Sequence, residues 1–116
     1  GIYVLSTTFI RSNTGNWDNV DVGIADTFTT TEAGQVAITL SCAAGSNNSL
    51  GELSLVLNGI RQGVVTTKNI ESLMIVGVWD NIPAGNHTFT LEQKANNGGF
   101  VNVVDDIPVV WLIRHL

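Results

Sequence analysis

Residues 107–116 read IPVVWLIRHL, and this stretch decides the fold. A β-strand sends successive side chains to opposite faces. The two sets here are Val109, Trp111, Ile113 and His115, and Val110, Leu112, Arg114 and Leu116. Because both sets are largely apolar, the pattern predicts a strand in the middle of a sheet, covered on each side. The protein's own core is one cover, and a second subunit is a candidate for the other.

The same period of two runs through most of the chain, and no helical apolar period is longer than one turn. Residues 35–43 form the cleanest strand, in which large apolar side chains and Cys42 alternate with small residues. Asn58-Gly59 lies between two alternating runs and predicts a type I′ hairpin. We therefore predict an all-β jelly roll, a sandwich of two antiparallel sheets with about nine to ten strands.

Composition indicates a single domain over residues 1–116, with 44% hydrophobic and 13% charged residues. The chain opens at Gly1 directly in strand-like sequence, which we interpret as a domain processed or excised from a longer chain. The net charge is −5 and the five cationic residues are widely spread. This argues against nucleic acid and anionic membrane surfaces as partners. No apolar run is long enough for membrane insertion.

Three places resemble the jelly roll of the tumour necrosis factor and C1q superfamily. Phe28, followed by Gly34 and Val36, is similar to the family's Phe-x5-Gly-x-Tyr motif. Residues 82–91 are similar to its Leu-x-x-Gly-Asp turn and the alternating strand after it, and residues 109–116 to its last strand. The Asn- and Gly-rich turns look more like the bacterial and phage members. The resemblance implies a homotrimer in which the strands that are apolar on both faces pack around a threefold axis.

The expected trimer interface uses the last strand and residues 73–79, the second stretch that is apolar on both faces. We predict that Val109, Trp111 and Ile113 fill the protomer's own core. The predicted interface residues are Met74, Val76, Val110, Leu112, Arg114 and Leu116.

The triplet Trp-Asp-Asn occurs twice, at residues 17–19 and 79–81. An aromatic ring can stack against the C–H surface of a sugar while carboxylate and amide groups bind its hydroxyls. The candidate ligand-binding residues are therefore Trp17, Asp18, Asn19, Trp79 and Asp80. The alternative interpretation is that both tryptophans cap the core.

The sequence contains no arrangement that predicts catalysis. Cys42 is in phase with core positions, which favours a small buried side chain. His87 is in phase with Phe89 and Leu91, which favours a partly buried histidine with satisfied hydrogen bonds. There is no phosphate loop and no zinc-ligand spacing. The acid pair Asp105-Asp106 offers oxygen ligands to calcium. A solvated turn is the interpretation we favour there, so no cofactor is predicted.

Two functions remain open at this stage. The first is a non-enzymatic trimeric surface domain of a virus, phage or bacterial fibre, with a receptor-binding or capsid-decoration role. Its partners would be further copies of itself and a cell-surface receptor, a glycan or a capsid. The alternative is a soluble trimeric lectin of the same fold. Both predict an extracellular or virion-surface location.

Overall fold

The chain folds into eleven β-strands in this computed structural model, which describes residues 1–12, 15–47, 51–95 and 100–116. No helix in the described part is long and apolar enough to cross a membrane. The strands are β1 (Ile2–Tyr3), β2 (Phe9–Ser12), β3 (Asp18–Asn19), β4 (Ala25–Thr30), β5 (Gly34–Asn47), β6 (Gly51–Leu57), β7 (Ile60–Thr67), β8 (Glu71–Ile82), β9 (Gly85–Ala95), β10 (Phe100–Val103) and β11 (Val109–His115).

The strands form two antiparallel sheets that pack against each other. In sheet A, β8 pairs with one edge of β5, while β11 and then β10 pair with its other edge. Strands β1 and β2 extend this sheet beyond β11 and β10. In sheet B the order is β7-β6-β9, and β3 and β4 pair with successive parts of β9. The predicted two-sheet jelly roll is confirmed, with two-residue strands β1 and β3 among the eleven.

Strand β5 separates large side chains from small ones. Its inward residues Val36, Ile38, Leu40 and Cys42 are all buried, as predicted, while Ala37, Thr39 and Ser41 alternate with them on the outward face. Sheet B supplies the opposing half of the core through Leu53, Leu55, Leu57, Phe89 and Leu91. Each of these side chains contributes about 1.5–3 kcal/mol by leaving water, so this layer dominates the stability of the sandwich.

Strand β11 lies between β1 and β5, which confirms its predicted position inside a sheet. Val109 and Trp111 are buried, and Ile113 packs against the core, also as predicted. The Trp111 indole N–H donates to Asp26 Oδ2 at 3.1 Å, and its ring meets Phe89 edge-on at 5.6 Å between centroids. The amino group of Gly1 donates to the Trp111 carbonyl at 2.7 Å, so β1 is tied to the middle of β11.

The hairpin between β6 and β7 turns at Asn58 and Gly59, whose φ angles are 51° and 79°. Two consecutive positive φ values are the signature of a type I′ turn, so this prediction is confirmed. Leu57 and Ile60 close the hairpin as a pair.

We expect Gly59→Val to lower the free energy of unfolding by about 1 kcal/mol or more, because a β-branched residue resists positive φ. A Cβ at this position would meet no atom within 4 Å, so the loss would be purely conformational. Urea denaturation measures it, and Gly59→Asn is the matched control because Asn tolerates positive φ. An equal loss in both variants would show that backbone conformation is not the cause.

Cys42 is a core residue whose side chain is only 4% exposed. Burial raises the pKa of its thiol to about 11, because the apolar surroundings disfavour the thiolate. The folded state therefore binds the thiol proton more tightly than the unfolded chain does, which contributes to stability while the thiol is protonated in the folded state. That contribution is complete below the unfolded value of 9.0 and declines as pH rises from there through about 11.

We expect Cys42 to resist an aromatic disulfide reagent at pH 8 in the native protein and to react promptly in urea. We also expect Cys42→Ala to show a shallower loss of stability than the parent between pH 9 and about 11. Rapid labelling without denaturant would contradict the burial of this side chain.

Candidate functional site

The outer face of sheet B carries a cluster around Trp17, which directly precedes β3. The guanidinium carbon of Arg61 lies 3.8 Å from the centroid of the Trp17 ring, and Lys94 Nζ lies 5.9 Å from it. Both cations are within reach of a cation–π contact, which is stronger for Arg61. We call Trp17, Asn19, Arg61, Glu92 and Lys94 the Trp17 cluster.

Strand pairing explains why these distant residues meet. Asn19 pairs with Glu92 across β3 and β9, so both side chains point to the same face. The Asn58-Gly59 turn sets the register that places Arg61 opposite Val56 on β6, the strand beside β9. From there the Arg61 side chain crosses β6 to reach Glu92.

Charge pairing orders the cluster. Arg61 Nη2 donates to Glu92 Oε1 at 2.7 Å, with side-chain exposures of 28% and 23%. The ammonium of Lys94 lies 3.9 Å from Glu52 Oε2, its cross-strand neighbour. Ion pairs at this level of exposure contribute at most about 1 kcal/mol each. The Arg61–Glu92 pair and the Trp17 ring both contact the Arg61 guanidinium, so together they position it.

Two polar atoms of the cluster are buried without a hydrogen-bond partner. The described side chains contain four such atoms in all: Asn19 Oδ1, Arg61 Nη1, Gln93 Oε1 and Asn102 Oδ1. Asn19 Oδ1 can only accept a hydrogen bond and Arg61 Nη1 can only donate one. Leaving such atoms unpaired costs about 1–3 kcal/mol each, so a ligand that satisfies both would recover that free energy. A hydroxyl group can do so, because it both donates and accepts.

The other predicted ligand-binding residues lie elsewhere. Asp18 pairs with Gln93, a buried residue of β9, so strand alternation places it on the opposite side of β3 from Asn19. Trp79 is 2% exposed and its indole N–H donates to the Ile60 carbonyl at 2.9 Å. Its assignment as a ligand platform is corrected, because both ring faces are within the core. Asp80 is exposed on sheet A, where it accepts from Gln35 Nε2 at 2.7 Å.

The acid pair Asp105-Asp106 lies in a turn that hydrogen bonds hold in place. The hydroxyl of Thr8 donates to Asp105 Oδ1 at 2.7 Å, and Asp106 has a φ of 60° and donates its N–H to the Leu5 carbonyl. Nowhere in the described ranges do three His, Cys, Asp or Glu side chains come together as they would around a metal ion.

His87 is buried and both ring nitrogens are engaged. Nε2 lies 2.7 Å from the Pro83 carbonyl, which can only accept, and Nδ1 lies 2.9 Å from the Asn58 amide nitrogen, which can only donate. Both partners lie within hydrogen-bonding distance of the ring and hold its orientation. The prediction of a satisfied histidine is confirmed, and the side chain is more deeply buried than the partial burial that was predicted.

The six residues predicted to form an interface all lie on the outer side of sheet A or at its margin. Four of them form two rows across the sheet with the small residues of β5 between them. The rows are Val110, Ser41 and Met74, and Leu112, Thr39 and Val76. Arg114 and Val78 flank Ala37 in the next row, and Leu116 follows, bonded through its N–H to the Gln35 carbonyl.

This outer side is apolar and open. Leu112 is 60% exposed and Met74 is 65% exposed. The large side chains stand on β8 and β11, and between them lies a shallow groove of about 290 Å³. We call this surface the apolar face; its large residues are Ile2, Met74, Val76, Val78, Val110 and Leu112, all at least 40% exposed.

Sequence reasoning missed Arg61, Glu92 and Lys94. The alternation of β9 does place Glu92 and Lys94 on its outward side, and the Asn58-Gly59 turn places Arg61 opposite Val56. What the sequence lacks is any local signal that β3 pairs with β9, because β3 has only two residues and its partner is far along the chain.

No family model matches this sequence, and no curated protein is significantly similar to it. Solved structures do share the fold. The C-terminal domain of EclA, a sugar-binding protein, is 12% identical, with 97% of this chain and 81% of that chain covered and a TM-score of 0.54.

A family 35 carbohydrate-binding module from an environmental isolate is 13% identical, with 100% and 97% of the two chains covered and a TM-score of 0.51. At such identities the likeness shows the fold alone. It supports the jelly roll, but not the tumour necrosis factor or C1q type that the sequence motifs resemble.

Proposed function

We propose that this chain is a non-catalytic carbohydrate-binding domain whose sugar site is the Trp17 cluster. The observation that carries the proposal is the pair of unsatisfied atoms, Asn19 Oδ1 and Arg61 Nη1, in the cluster built around an aromatic ring. The jelly-roll fold, shared with a sugar-binding domain and a carbohydrate-binding module, supports it.

The cluster matches the chemistry of a pyranose. The half-buried Trp17 ring offers apolar surface to the C–H face of the sugar. One hydroxyl would donate to Asn19 Oδ1 and a neighbouring hydroxyl would accept from Arg61 Nη1. Because both atoms are closed to solvent, binding requires Trp17 or Arg61 to rotate outward. Part of the binding free energy is spent on that rotation, which favours modest affinity.

Two further observations support a binding role without catalysis. Cys42, the one thiol of the sequence, is in the core with a raised pKa, and both His87 nitrogens are held by neighbouring groups. The polar surface is rich in Asn, Thr and Ser. We place the domain outside the cell, where it would meet polysaccharides.

We expect the protein to bind members of an array of neutral oligosaccharides. With the best ligand from that array, titration calorimetry should show that Trp17→Ala lowers affinity at least about tenfold, because it removes the stacking surface. Asn19→Ala should lower affinity by about fivefold, through loss of one hydrogen bond.

The matched control is Thr88→Ala, an exposed position on the outer face of sheet B away from the cluster, which should leave affinity unchanged. Thermal melting of each variant separates loss of binding from loss of folding. The absence of binding to every glycan at millimolar concentration, or equal affinity in the parent and both cluster variants, would overturn the proposal.

The second candidate is a homotrimeric domain of a viral, phage or bacterial fibre. The exposed apolar face favours it, because soluble monomers rarely leave such a surface uncovered. It differs from the first candidate in the mass of the assembly and in needing no glycan. A mass of three protomers by light scattering, with no glycan bound, would favour it.

A further inference from the structure

The apolar face has its large side chains on strands β8, β11 and β1 and small ones on β5. Ile2 pairs with Val110, so the row of Val110, Ser41 and Met74 extends across a fourth strand. The lateral order of the four strands is therefore β8, β5, β11 and β1. Along this row the side chain is large on β8, small on β5, and large on both β11 and β1.

We propose that a second copy of this chain covers the apolar face, related to the first by a twofold axis that runs along the strands between β5 and β11. Such an axis exchanges β5 with β11 and β8 with β1, so the four strands of one copy lie over the same four strands of the other. Sheets that stack in this aligned manner are common in proteins. A twofold interface requires a self-complementary surface.

Large side chains meet small ones in this arrangement. Leu112 of each copy lies over Thr39 of the other, and Val110 lies over Ser41. The β11 side chains thus fill the groove along β5 of the other copy. At the flanks, Ile2 lies over Met74 of the second copy, which puts two exposed apolar side chains in contact.

Charge is also complementary. Arg114 and Asp80 are exposed at the same end of the face, on β11 and β8 respectively. They are on opposite sides of β5, so they do not pair within one copy. The twofold axis brings Asp80 of the second copy one strand position outward from β11 and, along the strands, one row beyond Arg114, a span that the long Arg114 side chain can bridge. Two equivalent ion pairs would then close this end of the interface and fix its register.

The area predicts a weak dimer. Three strands about seven residues long and the two-residue β1, spaced about 4.8 Å apart, give a footprint of roughly 370 Å² per copy, or about 730 Å² in total. This is below the size of standard interfaces, so we expect weak, transient association at micromolar to millimolar concentration rather than an obligate dimer.

Sedimentation equilibrium over that concentration range tests the proposal, and a charge exchange tests its register. Arg114→Glu and Asp80→Arg should each raise the dimer Kd about tenfold or more, because each brings like charges together. The double variant restores opposite charges in exchanged positions. Its Kd should return to within about threefold of the parent value.

Leu112→Asp should abolish the dimer, since it places carboxylates in the apolar interface. Thr88→Asp is the matched control, because Thr88 is exposed on the outer face of sheet B, on the opposite side of the sandwich from the apolar face. Thermal melting shows whether each variant is folded. A single-protomer mass at millimolar concentration overturns the proposal, and a three-protomer mass replaces it with the predicted trimer. Failure of the double variant to restore association overturns the Arg114–Asp80 register.

Discussion

The architecture depends on the two unequal faces of strand β5. Both edges of this strand are hydrogen-bonded, to β8 on one side and to β11 and β10 on the other, but only its inward face carries large side chains. The inward face anchors the core against sheet B. The small outward side chains form the floor of the shallow groove, and the larger side chains of β8 and β11 form its two sides. Buried backbone polar groups must be paired, so β5 cannot shift without breaking three ladders at once. The core and the apolar face are therefore consequences of one strand.

Local features of the structure were predictable from the sequence, and features that depend on remote pairing were not. The burial of Cys42 and the turn at Asn58-Gly59 follow from a period of two and from positive-φ preferences, which involve only a few adjacent residues. The two Trp-Asp-Asn triplets show the limit. Trp79 is in phase with core residues of β8, whereas Trp17 precedes a two-residue strand whose location is set by β9. Identical triplets therefore have different environments, and the three residues themselves do not distinguish them.

The two outer surfaces differ in chemistry. The outer face of sheet B is polar and charged around Trp17, while that of sheet A is apolar from β8 to β1. They lie on opposite sides of the sandwich, so occupation of one does not obstruct the other. If two copies associate through sheet A, their Trp17 clusters face away from each other. If the Trp17 cluster also binds sugar as proposed, such a dimer would connect two separate glycan chains more readily than it would bind one chain at two points.

The pairing of β1 with β11 has a consequence for synthesis on the ribosome. Ile2 pairs with Val110, and the amino group of Gly1 donates to the Trp111 carbonyl. Strand β1 therefore has no partner strand until β11 has been synthesised. Until β11 emerges, the edge of β5 from Val36 to Ser41 has unpaired N–H and C=O groups beside an apolar surface. Unpaired edges of this kind recruit strands from other chains. We therefore expect a nascent or truncated chain that lacks β11 to aggregate more readily than the complete sandwich.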